Sequence, residues 1–147
     1  MIHSTIDRWH EVLRGESSFE DILHEDCVFW SPVLFRPVEG RDLTALYLRA
    51  AYQVFPGDEG DGGDATDPTD DSSSFRYTRR VLDGNNAVLE FETTMEGVSV
   101  NGVDIVTCDD DGLIIEFKVM IRPRRAVEKV HEQMAAMLEQ MAPPTGT

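Results

Sequence analysis

Apolar residues along this chain recur first at helical spacing, then in alternation, and at helical spacing again near the end. Ile6, Trp9, Val12 and Leu13 predict a first helix over residues 5–14, with Ser4 as its cap and Gly15 as its stop. Ser18-Phe19-Glu20-Asp21 opens a short second helix running to about His24, since a serine followed three residues on by an acid satisfies orphan amides. Cys27-Val28-Phe29-Trp30 reads as a buried strand closed by Ser31-Pro32, and Pro32 and Pro37 bracket a loop holding Phe35 and Arg36. Leu43, Leu46, Tyr47, Ala50, Ala51 and Val54 form one wide stripe, the clearest helix, which Pro56-Gly57 stops.

Four alternating strands follow. Phe75 to Leu82 ends at Asp83-Gly84-Asn85-Asn86, a hairpin turn. Ala87 to Glu96 puts Leu89, Phe91 and Met95 on one face and Glu90, Glu92 and Glu96 on the other. Val98 to Cys108 comes after Gly97, with Asn101-Gly102 expected to kink or bulge it. Asp109-Asp110-Asp111-Gly112 turns the chain into Leu113 to Arg122, where Ile115, Phe117, Val119 and Ile121 alternate with Glu116, Lys118 and Arg122. A last helix, Arg125 to Met141, carries Val127, Val130, Met134, Met137, Leu138 and Met141 along one side. One strand and three early helices make no core alone, so they must cover a face of the later sheet. The expected fold is α+β: a cone-shaped, strongly curved mixed β-sheet with three N-terminal helices in its concave face and a C-terminal helix. A pocket forms naturally at the mouth of such a cone.

Composition adjusts this picture in three ways. The chain has 147 residues, 41% of them hydrophobic, which suits a single domain over residues 1–142 with a tail at 143–147. Its formal net charge is −15, which argues against nucleic acid and against anionic membranes as partners. Seven acids and no base fall in residues 57–74, which read as an acidic flexible loop insertion whose spacing does not fit a calcium-binding hand. No apolar run approaches bilayer length, the N-terminus lacks a secretory pattern, and Cys27 and Cys108 lack ligand-like spacing. The expectation is a cytoplasmic protein with reduced, buried thiols, no metal and no cofactor, since no Gly-rich phosphate loop or nucleotide fingerprint is present.

Asp104 stands out chemically. It lies in the run Val100 to Cys108, otherwise mostly apolar or small, where a carboxylate costs several kcal/mol to bury without a partner. An apolar pocket would raise its pKa and make it a usable acid or base. Tyr47, within the apolar stripe of the third helix, and His10, beside Trp9 on the first, are the candidates to assist it. Ser31 would add a polar contact, and Trp9, Phe29, Phe35, Phe91, Phe117 and Ile121 would line the pocket. The ligand such a pocket takes is a small apolar or aromatic molecule.

Several strings together resemble the SnoaL-like branch of the nuclear-transport-factor-2-like superfamily. They are His24-Glu25-Asp26-Cys27-Val28-Phe29 leading to Ser31-Pro32, Val38-Glu39-Gly40-Arg41, Asn101-Gly102-Val103-Asp104, and Asp111-Gly112-Leu113-Ile114-Ile115-Glu116-Phe117. The steroid-isomerase pattern of that superfamily places an Asp, acting as base, before the proline after the first strand. That position here is Ser31. A second acid on the penultimate strand donates to the substrate oxygen, and Asp104 matches it. A tyrosine on the first helix completes that pattern, where this chain offers Trp9 and His10. The resemblance implies a homodimer formed through the sheet. Two readings follow: a cofactor-free isomerase, cyclase or dehydratase acting on an apolar carbonyl compound with Asp104 as acid/base, or a non-catalytic ligand-binding or dimeric interaction module.

Overall fold

Ile2 is fully buried, and its amide donates to the carbonyl of Gly84 at 3.1 Å, so the chain enters its first helix earlier than the apolar spacing predicts. The computed structural model describes residues 1–54 and 75–141. Helix α1 runs Ile2–Leu13 with Met1 at its N-cap, and Ser4, expected as the cap, lies inside it with its hydroxyl donating to the Met1 carbonyl. The second helix is a single 3-10 turn, Phe19–Ile22, held by the reciprocal Ser18–Asp21 capping box. It ends early because β1, Leu23–Trp30, already pairs at Leu23 with Ile114. His24 is therefore in a strand.

A two-residue strand that the pattern did not suggest, β2 (Val38–Glu39), pairs with β1, and α2 follows at Arg41–Val54. Beyond the undescribed residues come β3 (Arg76–Asp83), β4 (Asn86–Met95), β5 (Val98–Cys108), β6 (Ile114–Arg122) and α3 (Arg124–Met141). The expected loop at 57–74 and tail at 143–147 lie outside the described residues. The strands form one curved mixed sheet in the order β2-β1-β6-β5-β4-β3, with β1 parallel to β6 and every other pair antiparallel.

Two details set which side chains face inward. The expected bulge at Asn101-Gly102 is not there: β4 and β5 pair without a break from Asn86↔Thr107 to Met95↔Val98. Gly102 answers a different need, because a Cβ there would stand 2.5 Å from Cζ of Phe91 and 2.7 Å from the Met120 carbonyl oxygen. The irregularity sits instead between Thr107 and Cys108, which pair with Glu116 and Ile114. Ile115, skipped by that register, is exposed, and Ile114 takes the core position expected for it.

The inward face carries two apolar clusters. One joins Trp9 of α1, Leu23 of β1 and Leu48 of α2 to Leu89 and Phe117 of the sheet. The other joins Phe75, Phe91 and Val100 to Ala126 and Val130 of α3. Tyr52, Tyr77 and Val119 pack against both and mark the seam between them. At the sheet's far end, the β4–β5 turn puts Glu96 at φ 50 and Gly97 at φ 85. The Glu96 carboxylate accepts from Lys129 at 3.1 Å and from Gln133 at 3.0 Å, fastening α3 to the hairpin tip.

Candidate active site

Regular pairing with β4 and β6 from Asn101 to Thr107 fixes the direction of Asp104. Its neighbours across the strands are Leu89 and Val119, and it shares the inward row with Val100, Gly102, Val106 and Cys108. The side chain lies in the seam between the two clusters and is 1% exposed. A charge placed there needs partners, and it finds hydroxyls rather than a cation. Tyr77 donates to Oδ2 at 2.8 Å and Tyr52 to the same oxygen at 3.4 Å. The two phenol oxygens are themselves 3.4 Å apart, and the Trp9 indole N–H donates to Tyr77 at 3.0 Å.

Each member arrives by ordinary local structure. Ala45, Leu48 and Tyr52 recur at helical spacing on the sheet-facing side of α2. Tyr77 pairs with Phe91 just before a register shift that separates it from Arg79, so it shares the inward face with that ring. Trp9 is completely buried in α1 and meets Tyr52 edge-on at 5.6 Å between ring centroids.

Burial pushes the Asp104 carboxyl up to about 7, against the Tyr77 and Tyr52 hydrogen bonds, which hold it down. The same burial, followed by the nearby carboxylate, pushes both phenols well above their usual range, so each keeps its proton to donate. A carboxyl that titrates near neutrality can take a proton and give it back within one cycle.

Asp104 opens onto a narrow cavity of about 30 Å³. Phe29, Ser31, Phe91, Phe117 and Ile121, all expected as pocket residues, line it together with Asp104. Ser31 Oγ accepts from the Val33 amide at 3.1 Å, which leaves its own proton to give. Tyr52 also lines the cavity, and α3 closes it with Val130 and Met134. Among the described residues, no group of three or more His, Cys, Asp or Glu converges on a common point that could hold a metal ion.

Four of the expected residues fall elsewhere. Trp9 stands behind the cavity wall and acts on Tyr77 rather than facing a ligand. His10 is half-buried with its ring 5.8 Å from that of Tyr77, on α1 and away from the cavity lining. Tyr47 packs on Phe29 at 6.1 Å and lines an outer groove with Leu43 and Phe35. Phe35 is 94% exposed, since its loop carries it clear of the sheet. The buried face of α2 runs through Thr44, Ala45 and Leu48, about one residue out of phase with the apolar stripe, which turns Tyr52 rather than Tyr47 toward the cavity. Sequence reasoning passed over Tyr52 and Tyr77. The signal for Tyr52 was its placement four residues after Leu48; nothing in the sequence pointed to Tyr77.

No family model and no curated protein matches the sequence. Solved structures do. An uncharacterised protein with a cystatin-like fold from Silicibacter pomeroyi is 31% identical, with 96% of this chain and 89% of that one aligned at a TM-score of 0.78. A steroid delta-isomerase from Pseudomonas aeruginosa is 28% identical over 95% of this chain and 92% of its own, at a TM-score of 0.79. An NTF2-like protein of unknown function from Mesorhizobium loti shares the fold at 19% identity and a TM-score of 0.62, covering 83% of this chain and 91% of its own. The chain belongs to the nuclear-transport-factor-2-like superfamily.

Proposed function

We propose that this protein is a cofactor-free isomerase-type enzyme that moves a proton on a small apolar carbonyl compound, with Asp104 as the acid/base. The observation that carries this reading is a buried carboxyl, pushed up to about 7 by burial against the pull of two phenols, that opens onto an apolar cavity. As carboxylate, Asp104 takes a proton from the carbon next to a carbonyl; as acid, it returns that proton to another carbon. Both tyrosines bond Oδ2, and neither bonds Oδ1. Support also comes from the 28% identical steroid delta-isomerase and from the strings shared with SnoaL-like proteins.

The test is turnover of a β,γ-unsaturated cyclic ketone, followed by the absorbance of its conjugated product. Wild type should turn over, and Asp104→Asn should bind the ketone yet lose the reaction. Equal rates in the two proteins would remove Asp104 from the chemistry.

A second reading, a ligand-binding module without turnover, draws support from Ser31, which stands where the isomerase pattern has its base. Asp104→Leu separates them. Under this reading it retains apolar ligands and gains stability.

The proposal extends to a cytoplasmic homodimer built through the outer face of the sheet, where Val81 and Met120 are about half exposed (53% and 52%). Sedimentation of wild type against Met120→Glu tests that face, and an unchanged mass would reject it.

A further inference from the structure

Three of the seven large apolar side chains that stand exposed among the described residues share one place. Leu34 (44% exposed), Phe35 (94%) and Leu43 (46%) border an outer groove of about 630 Å³, with Val38 and Tyr47, at the edge strand β2. Apolar side chains exposed singly need no explanation, but a cluster of them on a groove does. The loop that carries Phe35 is held at its ends. Pro32 and Pro37 fix φ there. Ser31 Oγ accepts from the Val33 amide at 3.1 Å, and Ser31 and Pro32 line the Asp104 cavity. A ring presented on such a loop loses little freedom when it is covered.

Covering it takes a macromolecule. A small molecule in the groove would leave Phe35 in water, because the ring stands almost wholly exposed at the rim. The charges nearby say which macromolecule. Residues 34–43 set Arg36 and Arg41 against Glu39 and Asp42, a neutral stretch in a chain of net charge −15. Arg36, Glu39 and Asp42 are exposed, and none of them forms an ion pair among the described residues. Two copies of so acidic a chain repel each other, and least where this stretch meets its own image. A surface with both a projecting ring and a groove, and with both signs of charge, is complementary to itself, which a two-fold contact requires.

We propose that this groove is a contact between two copies of the chain, in which Phe35 of each seats on Leu43 and Tyr47 of the other and Arg36 of each faces Glu39 of the other. The contact lies at the β2 edge, apart from the outer sheet face where Val81 and Met120 stand. It is independent of the homodimer proposed there and of the chemistry at Asp104. Eight residues line the groove, against roughly 20–30 a side in a standard interface, so the association is weak and depends on concentration.

The experiment is sedimentation velocity of the full chain from about 1 μM to about 1 mM, in wild type and in Met120→Glu, which separates the two faces. The mass of Met120→Glu should still rise with concentration. Adding Phe35→Ser, at a side chain the monomer leaves in water, should raise the Kd of that step by about tenfold or more. Arg36→Glu alone and Glu39→Arg alone should each weaken it several-fold, and the variant carrying both, which exchanges the two signs, should recover the affinity. If Met120→Glu fails to fold, the same series in wild type should lose one association step with Phe35→Ser. Three results would overturn the proposal: no rise in mass up to the highest concentration, a rise that Phe35→Ser leaves unchanged, or a double exchange that associates no better than either single one. Wild type and Met120→Glu sedimenting alike would instead count against the sheet-face homodimer alone.

Discussion

Glu90 and Asp104 are near neighbours on adjacent strands and point to opposite faces of one sheet. Glu90 pairs with Val103 across the ladder, and Leu89 pairs with Asp104. On the outer face Glu90 meets Arg79 at 3.2 Å and accepts from Asn101 at 3.0 Å, and Glu92 beside it meets Arg76 at 3.1 Å. On the inner face Asp104 accepts from the Tyr77 and Tyr52 hydroxyls, and burial raises its pKa. The outer pairs neutralise charge where water already does so, and are worth little. The inner arrangement keeps a carboxyl poised between its two forms, at a cost in stability. The difference shows that removal from water with no cation at hand is what lifts a carboxyl toward neutrality, and that hydroxyl partners only moderate the rise.

The sharpest break in this comparison is Asp104→Asn, which should lower kcat on a β,γ-unsaturated ketone by roughly 10²–10⁴-fold, measured in steady-state assays. For the wild type, kcat/KM should rise with pH through about 7 and then level off, because the carboxylate is the form that accepts the proton. Next comes stability. Asp104 has a folded pKa raised from 3.8, so between pH 4 and pH 7 the folded state holds a proton that the unfolded state has released. Its contribution to stability therefore falls as pH rises through that window. Asp104→Asn should remove the slope, leaving the variant more stable than wild type at pH 8 by as much as a few kcal/mol, and not at pH 4, in urea titrations at both values. Smaller again is Gly102→Ala, which forces the Phe91 ring or the Met120 backbone to move and should cost about 1–3 kcal/mol by the same titration. The smallest effect belongs to the outer face, where Glu90→Gln should change stability by less than ~1 kcal/mol and leave turnover untouched.

The sheet was legible in the sequence because a half-buried strand repeats every second residue, and β4 shows that period without interruption. Asp104 was legible for the same reason, as a charge out of place in such a run. Its partners were not. The phase of α2 is set by packing on β1, α3 and the 3-10 turn, and a shift of one residue decides whether Tyr52 or Tyr47 faces the cavity. Gly102 reads in the sequence as backbone freedom, and its meaning is close approach by a ring, which only a three-dimensional neighbour can reveal. The same holds for Trp9, whose N–H finds Tyr77 across 68 positions of chain.

The hold that Glu96 keeps on Lys129 and Gln133 has a consequence of its own. Val130 and Met134, the helical roof, belong to the same helix as that clasp, and the clasp is made by side chains within reach of salt water. Added electrolyte should loosen it and hasten the comings and goings of whatever occupies the hollow.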